Sequence, residues 1–377
     1  MKKLFKIDIE KIRVIVFFLF VLSGKFAYET FIIEFQVRYF ILIIMIIASM
    51  GPKIINTNLM INSSVYGAIV FCSTLILSAG WNMEGIYVLE YIFDLFLLIF
   101  IIFFAVIYLK NNDCIFLLLG LFEKTAFIYS VLSIASVLMG ERASLLLGGP
   151  NVTVRIIFLG LLCHMELRRK HNYNYLIIFI FVTGIIATGS RGGMISSLIC
   201  LTLYMTQAIS MKSLIERIQI RFAGLFKMMI FSFLLFYIYT DFSDQIFSLI
   251  NSRITETLID NIHLAGRDDL LISSFKVIGE NVYFGQGLAS YYDNEVGFHP
   301  HNLFIQLYLD VGMLSLINII IILYALRSFF VNRKSLVFYA IPFFCIAHLV
   351  SGSYYDLRYM FLFWILGEIM NKKNLSP

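Results

Sequence analysis

The chain has 377 residues, 60% of them apolar and 14% charged, with a mean hydropathy of +0.87. Soluble domains run near 45–50% apolar and about 25% charged, which excludes a cytosolic enzyme with one core, a secreted scaffold and a disordered tail. Apolar runs that are continuous rather than alternating also exclude an outer-membrane barrel, and the net charge of +5 is an average over a very uneven distribution.

At roughly 20 residues per crossing, the chain holds about twelve spans. They are expected near 12–30, 38–51, 64–81, 87–109, 114–140, 151–167, 174–189, 192–210, 225–240, 303–326, 335–351 and 356–371. The expected fold is therefore an all-α polytopic membrane protein with one large extracytoplasmic loop containing short helices. Residues 1–240 carry the first nine spans, 241–302 the loop and 303–377 the last three spans. The 38 Phe and 21 Tyr suit lipid-facing and interfacial positions.

Charge asymmetry orients these spans. With the N-terminus in the cytoplasm, 19 of the 29 basic residues fall on cytoplasmic segments, among them Lys2, Lys3, Lys53, Lys110, Arg168, Arg169, Lys170, Arg327 and Lys372. Both termini are then on the cytoplasmic side. The opening MKKLFK lacks a following small-residue cleavage site and reads as an anchor. Basic excess on one face is orientation chemistry and gives no reason to expect nucleic acid. Cys72, Cys114, Cys163, Cys200 and Cys345 sit in or beside apolar runs, where small apolar packing is the expected role.

The segment Asp241–Asn302 is too long for a connector. It has nine acids against three bases, and Ile, Leu, Phe and Tyr throughout. After Arg267-Asp268-Asp269, the residues Leu271, Phe275 and Ile278 fall on one face of a helix that Gly279 is placed to stop. A turn at Gly285-Gln286-Gly287 and then Tyr291-Tyr292 follow. A short amphipathic helix over the mouth of the bundle is expected, an inert surface hairpin being the competing reading. The loop closes on His299-Pro300-His301-Asn302, with Asn302 a candidate N-cap for the tenth span.

Thr188-Gly189-Ser190-Arg191-Gly192-Gly193 joins two spans on the outer side, and Gly148-Gly149-Pro150-Asn151 opens another, with Arg155 one turn in. Free backbone N–H groups at a helix start favour an anion, and a guanidinium adds bidentate recognition of phosphate. Pairing with a nearby acid competes for Arg155 and is preferred for Arg358, two residues from Asp356. Glu123-Lys124 reads as an internal pair or packing feature. The sequence has no P-loop, no dinucleotide fingerprint and no metal-ligand spacing, so no metal and no cofactor are expected.

These residues resemble the O-antigen ligase and polymerase superfamily of bacterial membrane glycosyltransferases. His301-Asn302, nine residues and then Gly312 match the ligase pattern, which departs at Ser315. Thr188–Gly193 is similar to the family's arginine turn, and Gly266-Arg267 with Gly285-Gln286-Gly287 to its loop signature. The resemblance implies an undecaprenyl-pyrophosphate-linked glycan as donor and acceptor within membrane lipid. Arg191 and Arg267 would then neutralise the pyrophosphate, and His301 would take the acceptor's proton. Arg155, Gly192, Asn302 and His299 would line the substrate. The leading expectation is an O-antigen or capsule repeat-unit polymerase working with a flippase and a chain-length regulator. A ligase to lipid A core or protein is the first alternative. A transporter is another, although the charged groups cluster at one face rather than mid-membrane.

Overall fold

A computed structural model describes residues 9–23, 41–47, 62–83, 85, 87–109, 111–139, 149–169, 174–207, 267–280, 282–292, 300–332, 335–349 and 354–373. Among the described residues all regular structure is helical. The helices are α1 (Ile9–Ser23), α2 (41–47), α3 (Ser63–Ser78, with a 3-10 turn to Trp81), α4 (Val88–Tyr108), α5 (Asn112–Leu138), α6 (Pro150–Leu167), α7 (Tyr175–Ala187) and α8 (Arg191–Gln207). They continue as α9 (Arg267–Glu280), α10 (Leu303–Val311), α11 (Ser315–Val331), α12 (Ala340–Ala347) and α13 (Leu357–Lys372).

Among the described residues, five helical stretches are long and apolar enough to cross a membrane: Ser63–Trp81, Val88–Tyr108, Asn112–Leu138, Pro150–Leu167 and Leu303–Val331. The expected spans near 12–30, 174–189, 192–210, 335–351 and 356–371 coincide with shorter helices, and the one at 225–240 lies outside the described residues, as does most of the loop.

The expected tenth span is not one straight helix. It breaks at Gly312, where φ is +57°, and a 3-10 turn leads into α11. The cause is the outer loop, whose backbone docks at this point. Gln286 N donates to Leu309 O at 2.7 Å and Gly287 N to Asp310 O at 3.0 Å. These are carbonyls that the last turn of a helix leaves open. Gly285, at φ +68°, lies so close that a Cβ there would come within 2.6 Å of Gly312 N.

The loop helix α9 forms where expected, but its buried face is rotated by about one residue. Ser274 and Val277 are buried, with Leu270 half-buried, whereas Phe275 is 61% exposed. Leu270, Val277 and Ile278 pack with Ile305 and Leu309 of α10. Choosing the face by apolar residues alone missed that a serine, bonded back to Leu270 O at 2.6 Å, satisfies itself in the contact.

Two helices are buried almost all round and form the centre: α6 from Val152 to Glu166 and α13 from Leu357 to Gly367, the signature of an interior helix. Phe158 of α6 stacks on Phe343 of α12 at 4.2 Å, and Phe122 of α5 meets Phe363 of α13 at 5.3 Å. Lipid gives no hydrophobic drive between helices, so small residues that allow close approach take over. Gly184 of α7 presses on Ser130 of α5, leaving 2.6 Å for a Cβ. Gly160 on Ala126 and Gly193 on Val154 leave still less room. Of the cysteines, four are buried and Cys345 is half-buried.

Contacts sort the helix ends into two groups. Glu10 with Asn111, Lys372 with Asn62, Lys373 with Asn112 and Asn371 with Asn332 gather one set. We call this the terminal end. The other, the loop end, holds the starts of α6 and α8, and the end of α10 where the loop docks.

Candidate active site

At the loop end, α6 starts after Gly149, whose φ of +83° turns the chain into Pro150 at the first helical position. Proline suits that position because its missing N–H would be an orphan anyway. α8 starts after Gly189 (φ +64°) and Ser190. The Ser190 hydroxyl lies 2.6 Å from Asn151 Oδ1 and accepts from Gly193 N at 3.3 Å. One serine thus caps α8 and ties it to the first turn of α6. Gly193 seated on Val154 draws the two helix starts together. Arg191, the first residue of α8, is exposed, and Gly192 behind it is half-buried.

The α10 start is tied to α12. Asn302 is the N-cap, as expected: its Oδ1 accepts from Phe304 N at 3.0 Å and Ile305 N at 3.3 Å. Its Nδ2 donates to Leu349 O at 3.2 Å, and Leu303 N donates to His348 O at 2.9 Å. The chain therefore stitches the α10 start to the C-terminus of α12. Tyr204 meets Tyr339 at 5.9 Å and Cys200 lies beside Cys345, so α12 runs antiparallel to α8 and its C-terminus rises toward the α8 start. His301, half-buried, holds a left-handed backbone at φ +55°. A non-glycine residue held there reflects constraint by its surroundings.

The remaining candidates fall as follows. Arg267 opens α9, its side chain lying outside the described residues, as does His299. Arg155 is buried, with its NH1 2.5 Å from Asp356 Oδ2. Arg358 reaches the other oxygen of Asp356 at 3.5 Å, as expected, while its Nε donates to Val21 O at 2.9 Å. This buried triad ties α1, α6 and α13 together. Glu123 does not pair internally with Lys124: His164 and Arg168, at 2.8 and 2.9 Å, hold it across to α6.

The sequence reading missed a buried polar group under the loop. Asp310 accepts from Tyr354 OH at 2.6 Å and from Ala289 N at 3.2 Å. Tyr291 OH donates to Tyr91 OH at 2.7 Å and accepts from Gln306 Nε2 at 3.1 Å. The available signal was a carboxylate inside an apolar run, which points to function or to a partner by default.

Helix starts are satisfied in several ways. At the terminal end α7 is capped by the Asn174 side chain, and two other starts receive carboxylates of the protein itself. Glu368 accepts from the hydroxyls of Ser63 and Ser64, both at 2.7 Å, at the start of α3. Glu166 accepts from Leu336 N at 2.5 Å, where the turn into α12 begins. At the loop end, the start of α8 carries a serine cap and an exposed arginine, and α6 has no side-chain cap.

This is a helical membrane protein with an exposed arginine opening α8 and a half-buried histidine just before α10. Residues 176–320 match the family model described as O-antigen ligase, and the match supports the superfamily that the motifs resemble. Arg191, Arg267, His301 and Asn302 lie inside the matched stretch, whereas Arg155 and Asp356 lie outside it. No curated protein matches the chain.

Proposed function

We propose that the chain is a polysaccharide polymerase, transferring glycan from an undecaprenyl-pyrophosphate carrier to the next lipid-linked repeat unit at the outer face of the inner or plasma membrane. The observation that carries this reading is the Ser190–Asn151 hydrogen bond. It sets two helix N-termini side by side beneath the exposed Arg191, within the O-antigen ligase match. Aligned N–H groups and a guanidinium suit a phosphate oxygen.

In this reading an acceptor hydroxyl attacks the anomeric carbon of the donor glycan. The bond from that carbon to the pyrophosphate oxygen breaks, and the hydroxyl proton passes to His301. Arg191 and Arg267 neutralise the charge on the departing pyrophosphate, while Gly192, Asn302 and His299 line its path. Arg155, held by Asp356, serves as a strut behind the site. The loop end faces outward, both termini lie in the cytoplasm, and a flippase and a chain-length regulator act with the enzyme. Reporter fusions at Ser190 and Asn281 should both signal the outer side.

A ligase is the second reading, favoured by the His301-Asn302 to Gly312 spacing and by the family model's description. Complementation with Arg191→Ala and His301→Ala separates the two. A polymerase variant leaves glycan one repeat long, and a ligase variant leaves full-length polymer on the carrier. An unchanged glycan ladder at normal protein level overturns both.

A further inference from the structure

We propose that Tyr283-Phe284 and the outward face of α9 form a pad that seats the loop in the lipid surface, at the boundary of headgroups and acyl chains. This does not depend on the glycosyl-transfer reading. Ile272 is 68% exposed, Phe275 61%, Tyr283 70% and Phe284 69%. Ile272 and Phe275 are three residues apart and share one side of α9, away from the face packed on α10. In water, an apolar patch of this size on a polar loop marks an interaction surface.

What covers it follows from where it is pinned. Trp81, at the loop end of α3, donates its Nε1 to Phe284 O at 3.0 Å, and its ring meets Phe284 at 6.4 Å. Tyr283 O accepts from Met313 N at 2.9 Å, just before α11. The pair therefore sits at the loop ends of two helices that pack together. Leu77 of α3 and Leu316 and Ile320 of α11 are 68%, 52% and 63% exposed, the outward surface of crossing helices. Tyr283-Phe284 continues that surface upward, beside a tryptophan at the end of a span, where amphipathic rings collect. With α9 leading into the segment, one face on α10 and the other apolar and open, the arrangement is that of an interfacial helix.

The test is nitroxide labelling of the full-length chain at Phe275→Cys and, separately, Tyr283→Cys, in vesicles of phosphatidylethanolamine and phosphatidylglycerol. Cys72, Cys114, Cys163 and Cys200 are buried and Cys345 is half-buried, so the chain without an added cysteine supplies the background to subtract. At both positions collisions with dissolved oxygen should exceed those with a water-soluble nickel chelate by several-fold. Dominant nickel collisions at both would place the patch in water and overturn the proposal. Exclusion of both reagents would overturn it too, by showing a protein surface, a second copy or a partner, over the pad. Both positions are exposed, so the label displaces no packed side chain.

Discussion

The Tyr354 hydroxyl donates to Asp310 Oδ2 at 2.6 Å, joining the turn before α13 to the end of α10. The other oxygen of Asp310 receives Ala289 N from the loop, so one carboxyl group fastens three segments far apart in sequence. Buried, both partners are costly to orphan. Tyr354→Phe and Asp310→Ala should each lower unfolding stability by at least about 1–3 kcal/mol. The double variant should lose clearly less than the sum, because the two singles break the same bond. Thermal unfolding in detergent measures this, and additive losses would contradict the shared bond.

Gly193 and Val154 make a second pair that can be tested by rescue. A Cβ on Gly193 would overlap the Val154 side chain, and overpacking of this kind costs about 1–3 kcal/mol. Gly193→Ala should destabilise the chain, and Val154→Ala in the same chain should recover part of the loss by removing the two Cγ atoms that the new Cβ would meet. Failure of the rescue in thermal unfolding would show that α6 and α8 are not in contact there.

Spans were legible wherever the apolar run itself decides structure. α3, α4, α5 and α6 lie within a few residues of the positions expected from hydropathy, because lipid requires every backbone group to be satisfied within the helix. The Asn302 cap was legible for the same local reason. Partners across the fold were not. Nothing near Asp310 announces Tyr354, and nothing near Ser190 announces Asn151. The break at Gly312 depends on Gly285, which no local pattern connects to it, and the α9 face was misread because Ser274 rather than an apolar residue completes it.

The triad at Asp356 predicts an asymmetry. Removing Arg155 leaves the Asp356–Arg358 contact in place, whereas removing Asp356 takes from both buried guanidiniums the carboxylate they share. Removing one partner of a buried ion pair costs up to about 3–5 kcal/mol. Asp356→Ala should approach that loss, and Arg155→Met should lose markedly less. Equal losses in a denaturation series would indicate that Arg358 does not compensate.

Asn302 allows fold and function to be separated at one atom. Its Oδ1 caps α10 through Phe304 N and Ile305 N. Asn302→Ala removes the acceptor and should cost about 1 kcal/mol. Asn302→Asp keeps the acceptor and adds a negative charge at a helix N-terminus, which the helix dipole favours, against the loss of the exposed Nδ2 bond to Leu349 O, so stability should stay within about 1 kcal/mol of the parent. The same charge would sit where the proposed site receives a pyrophosphate, beside His301, and would repel it. The aspartate variant should therefore fold as well as the parent yet produce far less glycan in the complementation assay, whereas the alanine variant should be less stable and keep more activity. A fully active Asn302→Asp chain would mean that the α10 start does not face the anion.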